Sequence, residues 1–156
     1  EEEKLARDVY LTLYERWEVT IFQNIADSET KHTETIKSLL NKYALPDAVL
    51  DDSVGIFTDY HFTELYVALN EAGPTSYEDA LRVGIQIEEL GIPDIAEKIS
   101  KVEDNSDIVE VDENLMKGSR NHLRSLWHLF EENELEYEPQ YISEEEFYEI
   151  VNSPIE

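Results

Sequence analysis

A glutamate and a histidine that could bind a metal ion lie one helical turn apart in the first quarter of the chain, at Glu29 and His32. A charged carboxylate buried without a partner is strongly destabilising, so a core position for this pair requires a neutralising group. The pattern predicts a bound metal ion. The alternative is that the apolar stripe of the helix is rotated by one residue, which would leave Glu29 and His32 on a solvated face. At 100° per residue the pair shares its face with apolar residues, namely Phe22, Ile25, Ile36 and Leu39.

The elements that must position this pair follow from the hydrophobic spacing. A turn-rich segment and a short helix capped by Thr58 or Asp59 form a long crossover between the second and third long helices. Pro93 should kink or interrupt the third long helix. Ser143 should cap a small helix in a C-terminal tail, residues 136–156, that packs on the bundle. No strand pattern appears, so the predicted fold class is all-α, a single domain (1–156) with a ferritin-like four-helix bundle. The long helices are expected at about residues 1–16, 20–43, 76–99 and 106–132.

The other helices offer further candidate ligands on their inward faces. The short link after the first helix makes the second run antiparallel to it, which brings Glu2 or Glu3 level with Glu29. Glu88 lies on the apolar side of the third helix, and Glu89 is turned about 100° from it. His122 lies on the apolar face of the fourth helix. His61 is expected to be a surface or capping residue, and His128 an exposed or interface residue.

Composition limits the remaining classes of function. The 37 acidic and 12 basic residues give a formal net charge of −25, which disfavours nucleic-acid and membrane-surface partners. The chain has no cysteine, so disulfides, thiolate metal sites and cysteine nucleophiles are excluded. Without an evident signal peptide a cytoplasmic location is favoured, although the chain starts at Glu1 without methionine and a removed leader stays open. The sequence also leaves open whether the protein forms a homodimer.

Five segments of the chain carry a family resemblance: Glu2 to Tyr10, Ile25-Ala26 with Glu29 and His32, Ile87 to Leu90, Gly118 to Arg124 and Pro139 to Tyr141. They resemble the DUF2202 family, an uncharacterised group placed among the ferritin-like proteins. Glu3, Ala6, Arg7 and Tyr10 also resemble, in their spacing, the residues around the helix-one ligand of rubrerythrin, which favours Glu3 over Glu2.

The resemblance implies an iron site, a di-iron site or a manganese site, with oxidase or peroxide-handling chemistry and a separate electron-donor protein. Arg7 and Arg120 are then expected to pair with the acidic ligands. One departure matters, because Ser119 stands where the ferritin-like pattern has a second glutamate before His122. The alternative function is a non-catalytic helical interaction protein with a metal-free Glu/His cluster. The metal ligands that the resemblance implies are Glu3, Glu29, His32, Glu88 and His122.

Overall fold

A computed structural model describes residues 1–73, 75–133 and 135–156 of the chain. This part of the chain contains no β-strand, which confirms the all-α prediction. None of the helices in it is long and apolar enough to cross a membrane. Across the same residues there are six helices: α1 (Glu2–Trp17), α2 (Thr20–Lys42), α3 (Tyr60–Ala72), α4 (Tyr77–Ser100), α5 (Ser106–Glu132) and α6 (Glu144–Val151).

Local sequence signals account for the helix ends. The Asp59 carboxylate accepts a hydrogen bond from the His61 N–H at the start of α3, and Ser143 does the same for the Glu146 N–H at the start of α6. A kink or an interruption was expected at Pro93; the interruption is wrong, because α4 continues through that residue, and the kink stays a prediction. Proline removes a single helical hydrogen bond there, and the burial of Ile92 and Ile95 on either side favours the unbroken helix.

The chain divides into two compact units, Glu1–Ala80 and Leu81–Glu156, and α4 begins in the first and continues in the second. In the first unit α1 packs against α2 and α3. Tyr10 and Phe22 stack there with ring centroids 6.3 Å apart. The single-domain arrangement and the four-helix bundle remain predictions. The apolar core of the first unit includes Leu5, Val9, Leu13, Phe22, Ile25 and Ala26.

A buried ionic cluster, which we call the Asp8 cluster, connects α1 to the crossover. The fully buried Lys4 ammonium lies 2.6 Å from the Asp8 carboxylate and donates to the Ser53 carbonyl. Arg7 donates to the other Asp8 oxygen at 2.9 Å. The Gly55 N–H also donates to Asp8 at 3.0 Å, at a backbone φ of +77° that glycine tolerates and other residues rarely adopt. The cluster therefore holds the crossover on the first helix.

In the second unit α6 packs on α5 around an aromatic cluster. The Arg124 guanidinium donates to the Ile150 carbonyl and to the Ser153 hydroxyl, which satisfies the C-terminal end of α6. Phe147 and Ile150 of the C-terminal tail are buried in this unit, whereas the Tyr141 side chain is exposed. The aromatic cluster consists of Trp127, Phe130, Tyr137, Phe147 and Tyr148.

Candidate metal centre

Three of the predicted ligands meet in the first unit, and we call them the Glu3 cluster: Glu3 of α1 with Glu29 and His32 of α2. The His32 Nδ1 atom lies 2.8 Å from a Glu29 oxygen and 3.0 Å from a Glu3 oxygen. One donor atom from each residue lies within 4.8 Å of the other two. The Glu29 side chain is buried, and those of Glu3 and His32 are 12% and 16% exposed. Between Glu2 and Glu3, the two alternatives, Glu3 is the residue in this cluster.

The way the chain folds locally explains this geometry. Glu29 and His32 are three residues apart, so they project from the same side of α2, one turn from each other. The buried residues of α2 are Phe22, Ile25, Ala26 and Glu29, so the carboxylate continues the apolar stripe. Because α1 and α2 are joined by a very short turn, the first turn of α1 lies beside the middle of α2.

The close approach of two carboxylates and an imidazole shifts their proton affinities. Burial raises the pKa of Glu3 to about 7; the hydrogen bond from His32 opposes this rise, and the nearby Glu29 charge adds to it. Burial alone would lower the pKa of His32, but the hydrogen bonds and charges of Glu29 and Glu3 outweigh it and raise that pKa to about 9. Without a metal ion the cluster therefore retains a proton on His32 at neutral pH.

In the second unit the structure brings together the other two predicted ligands, Glu88 of α4 and His122 of α5. Their nearest atoms, a Glu88 carboxylate oxygen and His122 Nδ1, are 3.5 Å apart. Ser119 is buried one turn before His122 on α5, at the position where the second glutamate is missing. The pair therefore offers one carboxylate and one imidazole.

Glu89, the alternative to Glu88, binds the C-terminal segment. Its fully buried carboxylate accepts a hydrogen bond from the Tyr137 hydroxyl at 2.6 Å. The other oxygen accepts the backbone N–H groups of Gln140, Tyr141 and Ile142. The two Glu89 oxygens therefore accept four hydrogen bonds from the C-terminal segment, and Glu89 anchors that segment to α4. Burial and the hydrogen bond to Glu89 raise the pKa of Tyr137 above its usual range.

The expected pairing of Arg7 and Arg120 with the metal-ligand carboxylates is wrong. Arg7 pairs with Asp8 and Asp52, at 2.8 Å in each case, and Arg120 pairs with Glu156. These arginines hold the crossover and the C-terminal segment instead, since acidic side chains other than the ligands come closer in the fold. The expected exposure of His61 and His128 is confirmed.

Sequence reasoning missed the Asp8 cluster and the function of Glu89. Lys4 and Asp8 are four residues apart, a spacing also typical of surface ion pairs on helices. One usable signal was present in the sequence. Leu5 and Val9, which follow Lys4 and Asp8, are apolar and one helical turn apart, so both charges lie near the core boundary.

The comparisons with known proteins confirm the DUF2202 part of the sequence resemblance, and the ferritin-like placement stays a prediction. A family model described as "Uncharacterized protein domain (DUF2202)" matches residues 1–154. The uncharacterized protein MJ0754 of Methanocaldococcus jannaschii is 53% identical over all 156 residues, which cover 84% of its own length. The crystal structure of the hypothetical protein MJ0754 from Methanococcus jannaschii superimposes on 99% of this chain and 88% of the MJ0754 chain, with 52% sequence identity and a TM-score of 0.96. The chain therefore belongs to the DUF2202 family.

Proposed function

We propose that this protein binds iron or manganese through the Glu3 cluster, with Glu88 and His122 as the remaining ligands of a ferritin-like centre. The observation that carries the proposal is the convergence of two carboxylates and one imidazole, contributed by two helices, in a largely buried position. Carboxylate and imidazole together suit iron and manganese. The ferritin-like arrangement, and the contribution of all five ligands to one metal centre, rest on the sequence resemblance.

The distances within the Glu3 cluster fit a coordination shell. Two ligands at right angles, each about 2.1 Å from a metal ion, are about 3 Å apart. The two contacts of His32 Nδ1, at 2.8 and 3.0 Å, have this separation. A divalent cation in place of the shared proton would balance the charges of Glu3 and Glu29, which reduces the electrostatic cost of burying two carboxylates.

The chain's own residues set what the centre can do. A bound iron or manganese ion would supply one-electron redox chemistry or the handling of oxygen or peroxide. Glu3, Glu29 and His32 would hold and orient the ion, and the partial burial of their side chains limits access of water. Ser119 removes one carboxylate from the ferritin-like ligand set, so we expect one tightly held ion and a weaker second ion. Since the chain has no cysteine, reducing electrons would come from a separate donor protein.

The test of the proposal is anaerobic titration with Fe²⁺ or Mn²⁺, followed by metal analysis of the desalted protein. We expect about one tightly bound equivalent, and Glu29→Gln should weaken binding at least ~100-fold because it removes a ligand rather than a supporting group. Glu34→Gln is the matched control, since it lies on the same helix and is exposed. Less than about half an equivalent in the unmodified protein, or equal binding by the two variants, would overturn the proposal.

A second pair of variants tests whether Glu88 and His122 belong to the same centre. His122→Ala should abolish the tightly bound equivalent that Glu29→Gln abolishes, whereas His128→Ala on the same helix should retain it, because His128 is exposed. Retention of that equivalent by His122→Ala would show that the Glu3 cluster binds the ion by itself. In that case the five-ligand centre is wrong, and the metal-binding proposal for the Glu3 cluster stands.

Metal affinity should increase with pH. The ion must displace the proton on His32, whose pKa is about 9, and below a pH of about 7 it must also displace a proton from Glu3. The apparent dissociation constant should therefore fall ~10-fold per pH unit between about 7 and 8.5, and more steeply between 6 and 7. Mn²⁺ titrations at pH 6.0, 7.0, 7.5 and 8.5 measure this dependence. A constant affinity across this range would contradict direct ligation by these residues.

One observation favours a second candidate function, a metal-free interaction protein. His32 Nδ1 contacts both carboxylates, and a protonated imidazole can satisfy them as a hydrogen-bonded network. The metal titration separates the candidates. If the cluster is purely structural, no ion binds, and Glu29→Gln lowers the unfolding free energy while Glu34→Gln does not.

A further inference from the structure

Helix α3 is rich in apolar residues although none of its side chains is buried. Eight of its 13 residues are apolar, and none of the residues Tyr60–Ala72 is buried. Its inner face is occupied, since the Tyr66 ring lies 5.7 Å from that of Phe57 and the Tyr66 hydroxyl is 3.0 Å from the Thr12 hydroxyl. The outer face carries Tyr60 and Val67, which are 72% and 50% exposed. An apolar face of this kind is typical of a contact surface.

The surroundings of this outer face are acidic. Tyr60, Glu64, Val67 and Glu71 have the spacing of one helical stripe, which therefore alternates apolar and acidic side chains. The preceding crossover adds Leu50, which is 80% exposed. Residues 44–72 contain six carboxylates and no lysine or arginine. We call this surface, formed by the outer side of α3 and the crossover, the acidic face.

The second half of α2 has the opposite charge. None of the residues 30–42 is buried. They include three lysines and one glutamate, in a chain whose net charge is −25. Lys31, Thr35, Ser38 and Lys42 form an exposed stripe with the same spacing as the stripe on α3. We call this surface the basic face.

We propose that a second copy of this chain docks on α3, with the acidic face of each copy against the basic face of the other. In a two-fold dimer the contact between an acidic face and a basic face occurs twice, once in each half of the interface. One symmetric interface therefore pairs both acidic faces with both basic faces. Complementary charge fixes the partner and the orientation of such a contact, and the exposed Tyr60, Val67 and Leu50 supply its apolar part. At 0.15 M salt the Debye length is about 8 Å, so the repulsion between two negatively charged chains is screened more than contacting charge pairs.

The available area predicts a weak dimer. A 13-residue helix is about 20 Å long and about 10 Å wide, so α3 alone offers far less than the ~800 Å² per partner of a stable interface. The basic face and the exposed crossover must contribute as well. We therefore expect a dissociation constant in the micromolar range, comparable to those of transient complexes.

A charge-exchange experiment tests this pairing, with sedimentation equilibrium at 0.15 M salt over roughly 1–300 μM as the measurement. The first variant, Glu64→Lys with Glu71→Lys, reverses both charges of the α3 stripe within the acidic face, and the second, Lys31→Glu with Lys42→Glu, reverses both charges of the α2 stripe within the basic face. Each variant alone should dimerise at least ~10-fold more weakly, because like charges then meet in both halves of the contact. An equimolar mixture should recover dimers, since a mixed pair has complementary charges in both halves.

A matched control separates the local contact from overall charge. Glu110→Lys with Glu113→Lys changes the net charge as much as the first variant does, at exposed positions on α5. This control should dimerise at least as well as the unmodified protein. A monomer at every concentration, a dimer that neither face variant weakens, a control as weak as the face variants, or a mixture that does not recover would each overturn the proposal.

Discussion

Substitution of Asp8 by alanine should lower the unfolding free energy by about 3–5 kcal/mol, because it removes the shared partner of two buried cations. Asp8 and Lys4 are fully buried, and Arg7 is nearly so. The Asp8 carboxylate accepts from both cations and from the Gly55 N–H. Urea unfolding monitored by circular dichroism measures the loss. Hydrogen exchange should also show faster exchange at the Gly55 amide.

Two comparisons separate this buried cluster from ordinary surface charge. Asp27→Ala on the exposed side of α2 removes a carboxylate that also accepts a side-chain hydrogen bond, and should leave the unfolding free energy almost unchanged. Lys4→Met with Asp8→Leu replaces the closest ion pair by apolar side chains, and its loss should be smaller than the sum of the two single losses. A loss for Asp8→Ala no larger than that for Asp27→Ala would show that the cluster contributes little.

The helices were predictable because their signals are local. Apolar spacing, Asp59 and Ser143 as caps, and the short turn before Thr20 each involve residues close together in the sequence. Of the kink or interruption expected at Pro93, the interruption was wrong for a reason that lies outside these local signals. The burial of Ile92 and Ile95 depends on the surrounding tertiary structure, and tertiary packing often overrides a local breaker.

The Glu3 cluster was predictable for a similar reason, since Glu29 and His32 are one turn apart and the hairpin brings the start of α1 beside them. The Asp8 cluster was not. Lys4 and Asp8 have the spacing of a surface ion pair, and only the crossover, with Ser53 and Gly55, encloses them. A contact between residues about fifty positions apart has no periodic signature in the sequence.

The choice between Glu88 and Glu89 could not be made from periodicity either. Both are buried, with 2% and 0% of their surfaces exposed, so an inward direction does not distinguish them. The distinguishing partner is the segment from Tyr137 to Ile142, about fifty residues further along the chain. Its backbone N–H groups require an acceptor, and Glu89 supplies it.

Glu89→Ala should therefore lower the unfolding free energy by about 3–5 kcal/mol, since it leaves four buried or partly buried donors without their acceptor. Glu97→Ala is the control on the same helix, because its ion pair with Lys101 is exposed and should contribute little. The pKa of Tyr137 should fall toward its ordinary value in Glu89→Ala, since the hydrogen bond to the carboxylate contributes to its rise. Ultraviolet titration of tyrosine and urea unfolding measure the two effects.

The conservative variants Glu89→Gln and Glu88→Gln separate support of the tail from metal ligation. Glutamine at 89 keeps an oxygen that can accept backbone N–H groups, so most of the stability should return and metal binding should persist. Glutamine at 88 removes the charge of the proposed ligand next to His122, so it should weaken metal binding with little loss of stability. If Glu89→Gln abolished metal binding and Glu88→Gln did not, the assignment of the two glutamates would have to be exchanged.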